Sequence, residues 1–377
     1  MNDNKIKILK NFKDTDPSDL KLRREIEINS LNYLIGTNYI NLDTPVIESA
    51  DLFFRKSLGS TSGNTYTFID PLNQQVSLRP DFTASVMRHV FTNLKNKKNH
   101  DGKYCYSGPV FKFENSQKSY HQSYQVGAEY ISSDNEGYES EVILDSVECL
   151  NKNDVNEFKI NLGDVGIVRK FLYSLDLNSS LVEFFLTNLK LFNSEKYEDA
   201  LLSKAKFQNL IKSNEKISKL SKKDIETKFK AQLESNIGFR SKNDIVSRYF
   251  NKLSSQIVES KFIDSVNKLK QLLDINLASL RNDSNNNLML ERFSVLINEL
   301  LVNGIKEENI CVDFSLTRNL AYYNGVVFDL IYKDELIGGG GRYDDLPSML
   351  GFKQDIFCFG FAIDISKLTD ILSTDEW

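Results

Sequence analysis

The residues of this chain best suited to bind a small charged molecule lie in the stretch 318–331. Arg318 can bind a carboxylate through two parallel hydrogen bonds, and Tyr322 and Tyr323 can orient a polar ring without adding a second charge. Together these groups would suit a small zwitterion in a dry pocket. Tyrosines beside a strand pack in a core or at a sheet edge more often than they contact a ligand, so this stretch alone does not establish a site.

Two further segments carry polar groups that would complement it. The sequence Leu-Arg-Pro-Asp-Phe-Thr at 78–83 lies at a predicted strand-to-helix junction and contains Asp81 and Thr83. Gln125 and Glu129 are four residues apart on a predicted strand, so they share one face and can line one wall of a pocket. Glu129 can accept a hydrogen bond from a ring nitrogen and favour a charged or polarised imidazole.

The hydrophobic pattern predicts the elements that position these residues. Helical periodicity predicts a helix at Pro17–Gly36, and alternation predicts antiparallel strands at 104–114 and 122–132. Further strands are predicted at 310–315, 326–332 and 357–363. Between 163 and 304 proline is absent and apolar residues recur at every fourth position, as in amphipathic helices. The predicted fold class is therefore α+β, an antiparallel sheet flanked by helices, with core segments 1–162 and 305–377 and a helical insertion at 163–304.

Composition and charge exclude several classes of protein. The chain has 377 residues and a net charge of −5, so no overall basic field draws it to nucleic acid or to an anionic membrane. No apolar run approaches the roughly 20 residues needed to span a bilayer, and the polar N-terminus is unlike a signal peptide. The four cysteines lack a C-x-x-C spacing and the three histidines are not clustered. A reduced, cytoplasmic protein without a metal site is expected.

In their order and spacing, the motifs resemble the catalytic core of histidyl-tRNA synthetases, which have a class II aminoacyl-tRNA synthetase fold. The motifs are Leu-Arg-Pro-Asp-Phe-Thr at 78–83, Phe-Lys-Phe-Glu at 111–114, Gln-Ser-Tyr-Gln-Val-Gly-Ala-Glu at 122–129, Arg-Asn-Leu-Ala-Tyr-Tyr at 318–323 and Gly-Gly-Gly-Gly-Arg-Tyr-Asp at 338–344. Thr-Pro-Val-Ile-Glu at 44–48 resembles that family's dimer-forming first motif. The resemblance covers about residues 31–148 and 312–368.

The resemblance implies a pocket for histidine. The positions that bind histidine in that family are kept almost intact, as Asp81, Thr83, Gln125, Glu129, Arg318, Tyr322 and Tyr323. The first three would hold the α-amino group, and Arg318 would hold the carboxylate. Glu129 and Tyr323, with Tyr322 nearby, would contact the imidazole ring. One departure is Asp81, where synthetases usually carry glutamate.

The positions that would handle the nucleotide depart from that family. Lys112, Ser119, His121 and Lys367 stand where the resemblance expects arginines. A lysine is a point charge that does not reproduce a stacked, bidentate guanidinium, and losing one such contact lowers a rate by about 10²–10³-fold. Nine residues follow Leu368, so the anticodon-binding domain that synthetases append there is expected to be absent.

A core that keeps the amino-acid pocket without these groups resembles the regulatory subunit of short-form ATP phosphoribosyltransferase, the first enzyme of histidine biosynthesis. That resemblance implies a protein with no catalysis and no cofactor of its own. It implies a self-dimer, a hetero-octamer with the catalytic phosphoribosyltransferase subunit, and free L-histidine as an inhibitory effector. Neither nucleic acid nor a membrane is expected as a partner.

Two other functions stay open on the sequence alone. The chain can be a truncated histidyl-tRNA synthetase-like enzyme that activates an amino acid, or a scaffold whose pocket is vestigial. In the latter case Glu129 and Arg318 would form a buried ion pair without a ligand.

Several individual residues also have simpler interpretations. Lys112 and Lys367 can be solvated lysines or weak anion contacts. His121 has no evident nucleophile or carboxylate partner, so a structural or exposed role is expected. The glycines at 338–341 lack the pattern of a nucleotide loop and instead predict a close approach of backbones.

Overall fold

The computed structural model describes residues 6–56, 65–93, 101–113, 120–133, 137–212, 256–283, 288–316, 322–352 and 356–374. The chain divides into two compact units, Met1–Val165 with Asn276–Trp377, and Gly166–Ile275. The larger unit carries the six proposed pocket residues that the structure describes.

The strands, in chain order, are β1 (Ile40–Asn41), β2 (Ile47–Ser49), β3 (Thr67–Ile69), β4 (Gln75–Leu78), β5 (Gly102–Phe111), β6 (Gln122–Ser132), β7 (Phe158–Asp164), β8 (Ile310–Val312), β9 (Val326–Tyr332), β10 (Glu335–Arg342) and β11 (Phe357–Asp364). The helices are α1 (Pro17–Gly36), α2 (Ala50–Lys56), α3 (Thr83–Asn93), α4 (Tyr138–Asn151), α5 (Val165–Ser174), α6 (Ser179–Thr187), α7 (Tyr197–Phe207), α8 (Glu259–Leu273), α9 (Leu277–Asp283), α10 (Leu288–Val302), α11 (Leu346–Met349) and α12 (Ile365–Ser373).

Helix α1 has the bounds that its periodicity predicts. Pro17 opens it, where the missing N–H costs nothing, and the buried residues Ile26, Ser30 and Leu34 follow one another at intervals of four. The helix ends where the Thr37 N–H donates to the Tyr33 carbonyl at 3.0 Å. One face of α1 is therefore buried while the other remains in solvent.

The main sheet has the strand order β1-β5-β6-β11-β10-β9-β7-β8. Its six interior strands pair antiparallel, and the edge pairs β1–β5 and β7–β8 are parallel. The α+β prediction is confirmed, but the sheet is mixed at its edges rather than antiparallel throughout. Strands β2, β4 and β3 form a second, smaller antiparallel sheet.

Strand β10 was not expected from the sequence, because glycine is depleted in strands. Its glycines allow the close backbone approach that the run predicts. A Cβ built on Gly340 would lie 1.8 Å from the carbonyl oxygen of Gly360 on β11, and one on Gly338 would lie 2.7 Å from the carbonyl oxygen of Ala362. Only residues without side chains fit this part of the sheet.

Helix α3 covers one end of the sheet face that carries Glu129. Phe82, just before the helix, and Val86 and Met87 within it are fully buried and belong to one core cluster with Tyr104 and Tyr106 of β5. Helix α1 packs against α4, α12, β5 and β6. Helix α4 also packs against β6 and β11, and α12 packs against β6. These contacts fix β5, β6 and β11, the strands that support the site described below.

The smaller unit is helical in its described part. The Asn178 side chain caps α6 by accepting a hydrogen bond from the Leu181 N–H at 3.1 Å. Phe185 of α6 stacks on Phe262 of α8, with ring centroids 5.3 Å apart. Helices α9 and α10 lie in the larger unit, and the predicted three-part division of the chain stays a prediction.

Among the described helices none is long and apolar enough to cross a membrane. In the same part of the chain, no group of three or more histidine, cysteine, aspartate or glutamate side chains is arranged to hold a metal ion.

Candidate functional site

Strand β6 carries Gln125 and Glu129 on one face, as the strand period requires. In the register with β11, Gln125 lies opposite Asp364 and Glu129 lies opposite Gly360. Directly opposed residues of an antiparallel pair point to the same side, so these four positions share the face covered by α3 at one end.

Glu129 is the most buried carboxylate of this face, with 1% of its surface exposed. Its Oε1 accepts a hydrogen bond from the Tyr106 hydroxyl at 3.2 Å, and its Oε2 accepts one from the Tyr343 hydroxyl. Burial raises the pKa of both phenols, and the nearby Glu129 charge raises it further. The phenols therefore keep their protons and act as donors, which fixes the plane of the carboxylate.

Glycines beneath Glu129 leave room for this arrangement. A Cβ on Gly360 would lie 1.8 Å from Glu129 Oε2, and a Cβ on Gly127 would lie 2.7 Å from the Tyr106 hydroxyl oxygen. A Cβ on Gly341 of β10 would lie 3.1 Å from Cδ1 of Tyr323. Polar side chains can consequently lie flat over the sheet instead of standing away from it.

Gln125 presents a buried acceptor without a donor. The residue is 9% exposed, and its Oε1 has no hydrogen-bond partner among the residues that the structure describes. Leaving a buried amide oxygen unpaired costs about 1–3 kcal/mol. A ligand N–H group, such as an ammonium, would satisfy this oxygen.

Three tyrosines meet beside Glu129. The ring centroids of Tyr322 and Tyr323 are 4.4 Å apart, and they lie 6.2 and 6.5 Å from the ring centroid of Tyr343. Because Tyr343 donates directly to Glu129, both predicted tyrosines lie close to the predicted carboxylate. An aromatic wall next to a buried acceptor suits a flat, N–H-bearing ring.

Asp81 and Thr83 lie at the start of α3, on either side of Phe82 in the sequence. Phe82 between them stacks on Tyr106 with ring centroids 4.3 Å apart. The Asp81 charge contributes to the raised pKa of Tyr106, after burial and the Glu129 charge. Thr83 is the first residue of α3 and is partly buried. The Asp81 carboxylate therefore lies close enough to act on the phenol of Tyr106, the same phenol that donates to Glu129.

Arg318 and Ser119 lie outside the described residues. The carboxylate-binding role predicted for Arg318 therefore stays a prediction. The remaining six predicted pocket residues lie on β6, at the start of α3 and just before β9.

The lysines at the predicted nucleotide positions have other surroundings. Lys112 is exposed at the end of β5. Lys367 forms an ion pair with Glu335, with Nζ 2.7 Å from Oε2, and its side chain is 39% exposed. An ammonium group already paired with a carboxylate is a poor substitute for a free guanidinium.

His121 is buried and structural. Its Nδ1 bonds the Tyr66 hydroxyl, its Nε2 lies 3.0 Å from the Asn11 side-chain nitrogen, and its backbone N–H donates to the Asn11 carbonyl. Phe12 and Phe113 contact the ring at centroid distances of 5.8 and 5.1 Å. The structural interpretation fits these contacts, and the exposed one is wrong.

Arg79, in the same motif as Asp81, also has a structural role. It is 1% exposed, its Nε donates to the Pro109 carbonyl at 2.9 Å and its Nη1 donates to the Thr44 carbonyl at 2.6 Å. A cavity of about 640 Å³ lies beside it, bounded by Thr44, Pro109 and Tyr124, and its lining includes neither Gln125 nor Glu129. The Arg79 guanidinium ties β5 to the segment before β2.

Tyr106 and Tyr343 were not recognised from the sequence as site residues. Tyr343 lies in the motif Gly-Gly-Gly-Gly-Arg-Tyr-Asp, and its place two residues after the last glycine was an available signal. Tyr106 is one of several buried residues of β5, and nothing in its local sequence distinguishes it from the others.

A sequence model of the family described as histidyl-tRNA synthetase matches residues 11–236 and 243–368. The histidine–tRNA ligase of Methanococcus vannielii is 25% identical over 374 residues, which cover 97% of this chain and 77% of the ligase. The ATP phosphoribosyltransferase regulatory subunit of Thermoanaerobacter pseudethanolicus is 25% identical over 354 residues, which cover 93% of this chain and 79% of the subunit.

A solved structure from Bacillus halodurans, described as an ATP phosphoribosyltransferase regulatory subunit/histidyl-tRNA synthetase, superimposes with a TM-score of 0.68 at 21% identity. The match covers 96% of this chain and 81% of that chain. This likeness shows the fold and confirms the predicted class II aminoacyl-tRNA synthetase-like class.

Proposed function

The chain belongs to the histidyl-tRNA synthetase family, and we propose that it is a non-catalytic, histidine-sensing regulatory subunit of ATP phosphoribosyltransferase. It would activate the short catalytic subunit of that enzyme and transmit inhibition by histidine. The observation that carries this proposal is a contrast between two regions. In the pocket, tyrosine hydroxyls hold the buried Glu129 carboxylate in place as an acceptor, whereas the positions expected to bind a nucleotide have lysines, Lys112 and Lys367, in place of arginines.

The pocket supports a histidine ligand because its polar groups match the two ends of that molecule. In the proposal, Glu129 receives a ring N–H while Tyr322 and Tyr323 pack against the imidazole. The unpaired Oε1 of Gln125 receives the α-ammonium group, assisted by Asp81 and Thr83. Arg318 would bind the carboxylate. Such a pocket rejects apolar isosteres, because they would leave its buried polar groups unpaired.

The nucleotide region argues against adenylation as the main activity. Amino-acid activation by ATP needs fixed cations aimed at the charge that develops on the phosphates. Lys367 is paired with Glu335, and Lys112 is exposed. A lysine ammonium on its flexible stem does not offer the two parallel, fixed hydrogen bonds of an arginine guanidinium. With no guanidinium at these two positions, we expect ATP cleavage near background.

Regulation requires that histidine bind two states of an assembly with different affinity. We propose that the partner is the short catalytic subunit of ATP phosphoribosyltransferase, in a hetero-octamer that also contains self-dimers of this chain. Occupancy of the pocket would favour the inhibited arrangement. The name of the related Thermoanaerobacter protein supports this partner.

Calorimetry with free L-histidine tests the pocket. Wild type should give saturable binding, and Glu129→Gln should weaken it by about tenfold or more, since a charge-assisted hydrogen bond to the ring is lost. Glu157→Gln is a matched control, because it removes the same charge from an exposed loop residue. Absence of saturable heat with wild type would rule out histidine sensing.

Reconstitution tests the partner. Purified chain should co-purify with a short phosphoribosyltransferase catalytic chain, raise its rate, and make it sensitive to histidine. Glu129→Gln should retain the activation and lose the sensitivity. An unchanged response to histidine in that variant would favour the scaffold with a vestigial pocket.

The second candidate function is a histidyl-tRNA synthetase-like amino-acid-activating enzyme, which the similarity to the Methanococcus ligase favours. Histidine-dependent exchange between ATP and pyrophosphate distinguishes the two. Robust exchange that Arg318→Ala abolishes would replace the regulatory proposal with this one.

A further inference from the structure

The N-terminus of α12 begins at the edge of the candidate pocket. Asp364, the last residue of β11, lies opposite Gln125 in the register, so its side chain is on the same face of the sheet. Its Oδ1 accepts a hydrogen bond from the Lys367 backbone N–H at 3.0 Å, which caps the helix. The carboxylate therefore occupies the position where the helix presents its unpaired N–H groups.

The surroundings of Asp364 are those that usually bind an anion. Burial raises the pKa of its carboxyl, while the Lys367 N–H, the Ser123 hydroxyl and the ammonium groups of Lys112 and Lys367 act in the opposite direction. Helix N-terminal N–H groups, a hydroxyl and two ammonium groups together favour a phosphate. Here the group that meets them is a carboxylate of the chain itself.

Charge at this point is already balanced. Asp364 and Glu335 contribute two carboxylates, and Lys112 and Lys367 contribute two ammonium groups. A phosphate group arriving there would meet no net positive charge among these four side chains. It would also have to displace the Asp364 carboxylate from the helix N-terminus.

We propose that Asp364 is a specificity-determining residue that excludes phosphate-bearing ligands from the cleft while leaving the amino-acid pocket open to free histidine. This deepens the proposed function and rests on it. The carboxylate acts as an internal anion: it fills the anion-binding position beside Gln125 and repels an ATP phosphate or an aminoacyl adenylate. The site thus distinguishes a free amino acid from its activated form.

Asp364→Asn tests the proposal, because asparagine caps a helix as well as aspartate does and removes only the charge. Calorimetry would compare wild type and variant for binding of ATP with Mg²⁺ and, separately, of L-histidine. We expect ATP to bind the variant at least about tenfold more tightly. This is the order of magnitude of the repulsion between one carboxylate and one phosphate charge separated by several ångströms of partly solvated protein. Histidine affinity should not increase, because the ammonium group placed at Gln125 would lose a nearby negative charge and not a repulsive one.

Asp370→Asn is the matched control, since it removes the same charge from the same helix at a residue paired with Lys13. It should leave ATP binding as weak as in wild type. The double variant Asp364→Asn with Lys367→Arg should bind ATP more tightly than Asp364→Asn alone, and Lys367→Arg alone should gain nothing.

The outcomes separate the two proposals. If a folded Asp364→Asn variant binds histidine normally but gains no ATP affinity, or if Asp370→Asn gains as much, the exclusion role is overturned and histidine sensing stands. If wild type itself binds no histidine, the proposed function fails, whatever the variant does with ATP.

Discussion

Replacing Gly360 by alanine is the most direct test of how the sheet supports the candidate pocket. A Cβ at this position would lie 1.8 Å from Glu129 Oε2 and 2.7 Å from the backbone carbonyl oxygen of Ala128. Ordinary van der Waals contact begins near 3.4 Å, so the Glu129 carboxylate oxygen, at 1.8 Å from the new Cβ, must move away by about 1.6 Å. The neighbouring backbone cannot move as easily, because it belongs to the β6–β11 ladder.

The size of the effect follows from the bond that this movement breaks. Oε2 is the oxygen that accepts from Tyr343, and a hydrogen bond to a charged group contributes about 1.5–3 kcal/mol. The free energy of unfolding should fall by about that amount. Histidine affinity should fall by about tenfold to a hundredfold, because the displaced carboxylate no longer meets the ring and 1.4 kcal/mol corresponds to a factor of ten.

Urea denaturation and histidine calorimetry on the same variant measure both effects. Gly36→Ala is the control, since a Cβ at the end of α1 would have no neighbour within 4 Å. It should leave histidine affinity unchanged and should raise, not lower, the free energy of unfolding, by up to about 1 kcal/mol. If folded Gly360→Ala bound histidine as tightly as wild type, the Glu129 carboxylate could not be the group that receives the ligand.

Three further perturbations have defined expectations. Tyr343→Phe should lower the free energy of unfolding in urea by about 1.5–3 kcal/mol, because the Glu129 carboxylate loses a donor in a buried site; an unchanged midpoint would contradict that bond. Burial raises the pKa of the Asp145 carboxyl above its ordinary 3.8, although two phenol hydrogen bonds oppose the shift, so the folded state holds this proton more tightly. The resulting stabilisation is complete below the ordinary pKa and is lost as pH rises through the raised value, so the stability of wild type relative to Asp145→Asn should increase as pH falls from 7 toward 4 in parallel urea titrations; a constant difference would refute the shift. Phe185→Ala should destabilise the smaller unit by about 3–5 kcal/mol, measured by hydrogen exchange of its helices, because the side chain is fully buried; exchange as slow as in wild type would show that the packing contributes little.

The local sequence determined those features that depend on periodicity. The bounds of α1 follow from its proline and from apolar residues spaced by helical turns, and they are observed as predicted. The strands β5, β6, β9 and β11 follow from alternation, as does the shared face of Gln125 and Glu129. The order and spacing of the motifs were sufficient to indicate the class II synthetase-like fold through their resemblance to histidyl-tRNA synthetases, and the likeness to a solved structure confirms that fold.

Tertiary structure decided which distant residues meet. Tyr343 is 214 positions from the carboxylate it holds, and Asp364 faces Gln125 only because β11 pairs with β6. Periodicity shows which side of a strand a residue lies on, but strand order and register depend on packing of the whole sheet. The glycines of β10 illustrate the same limit: their composition opposes a strand, and only the approach of neighbouring backbones explains why they form one.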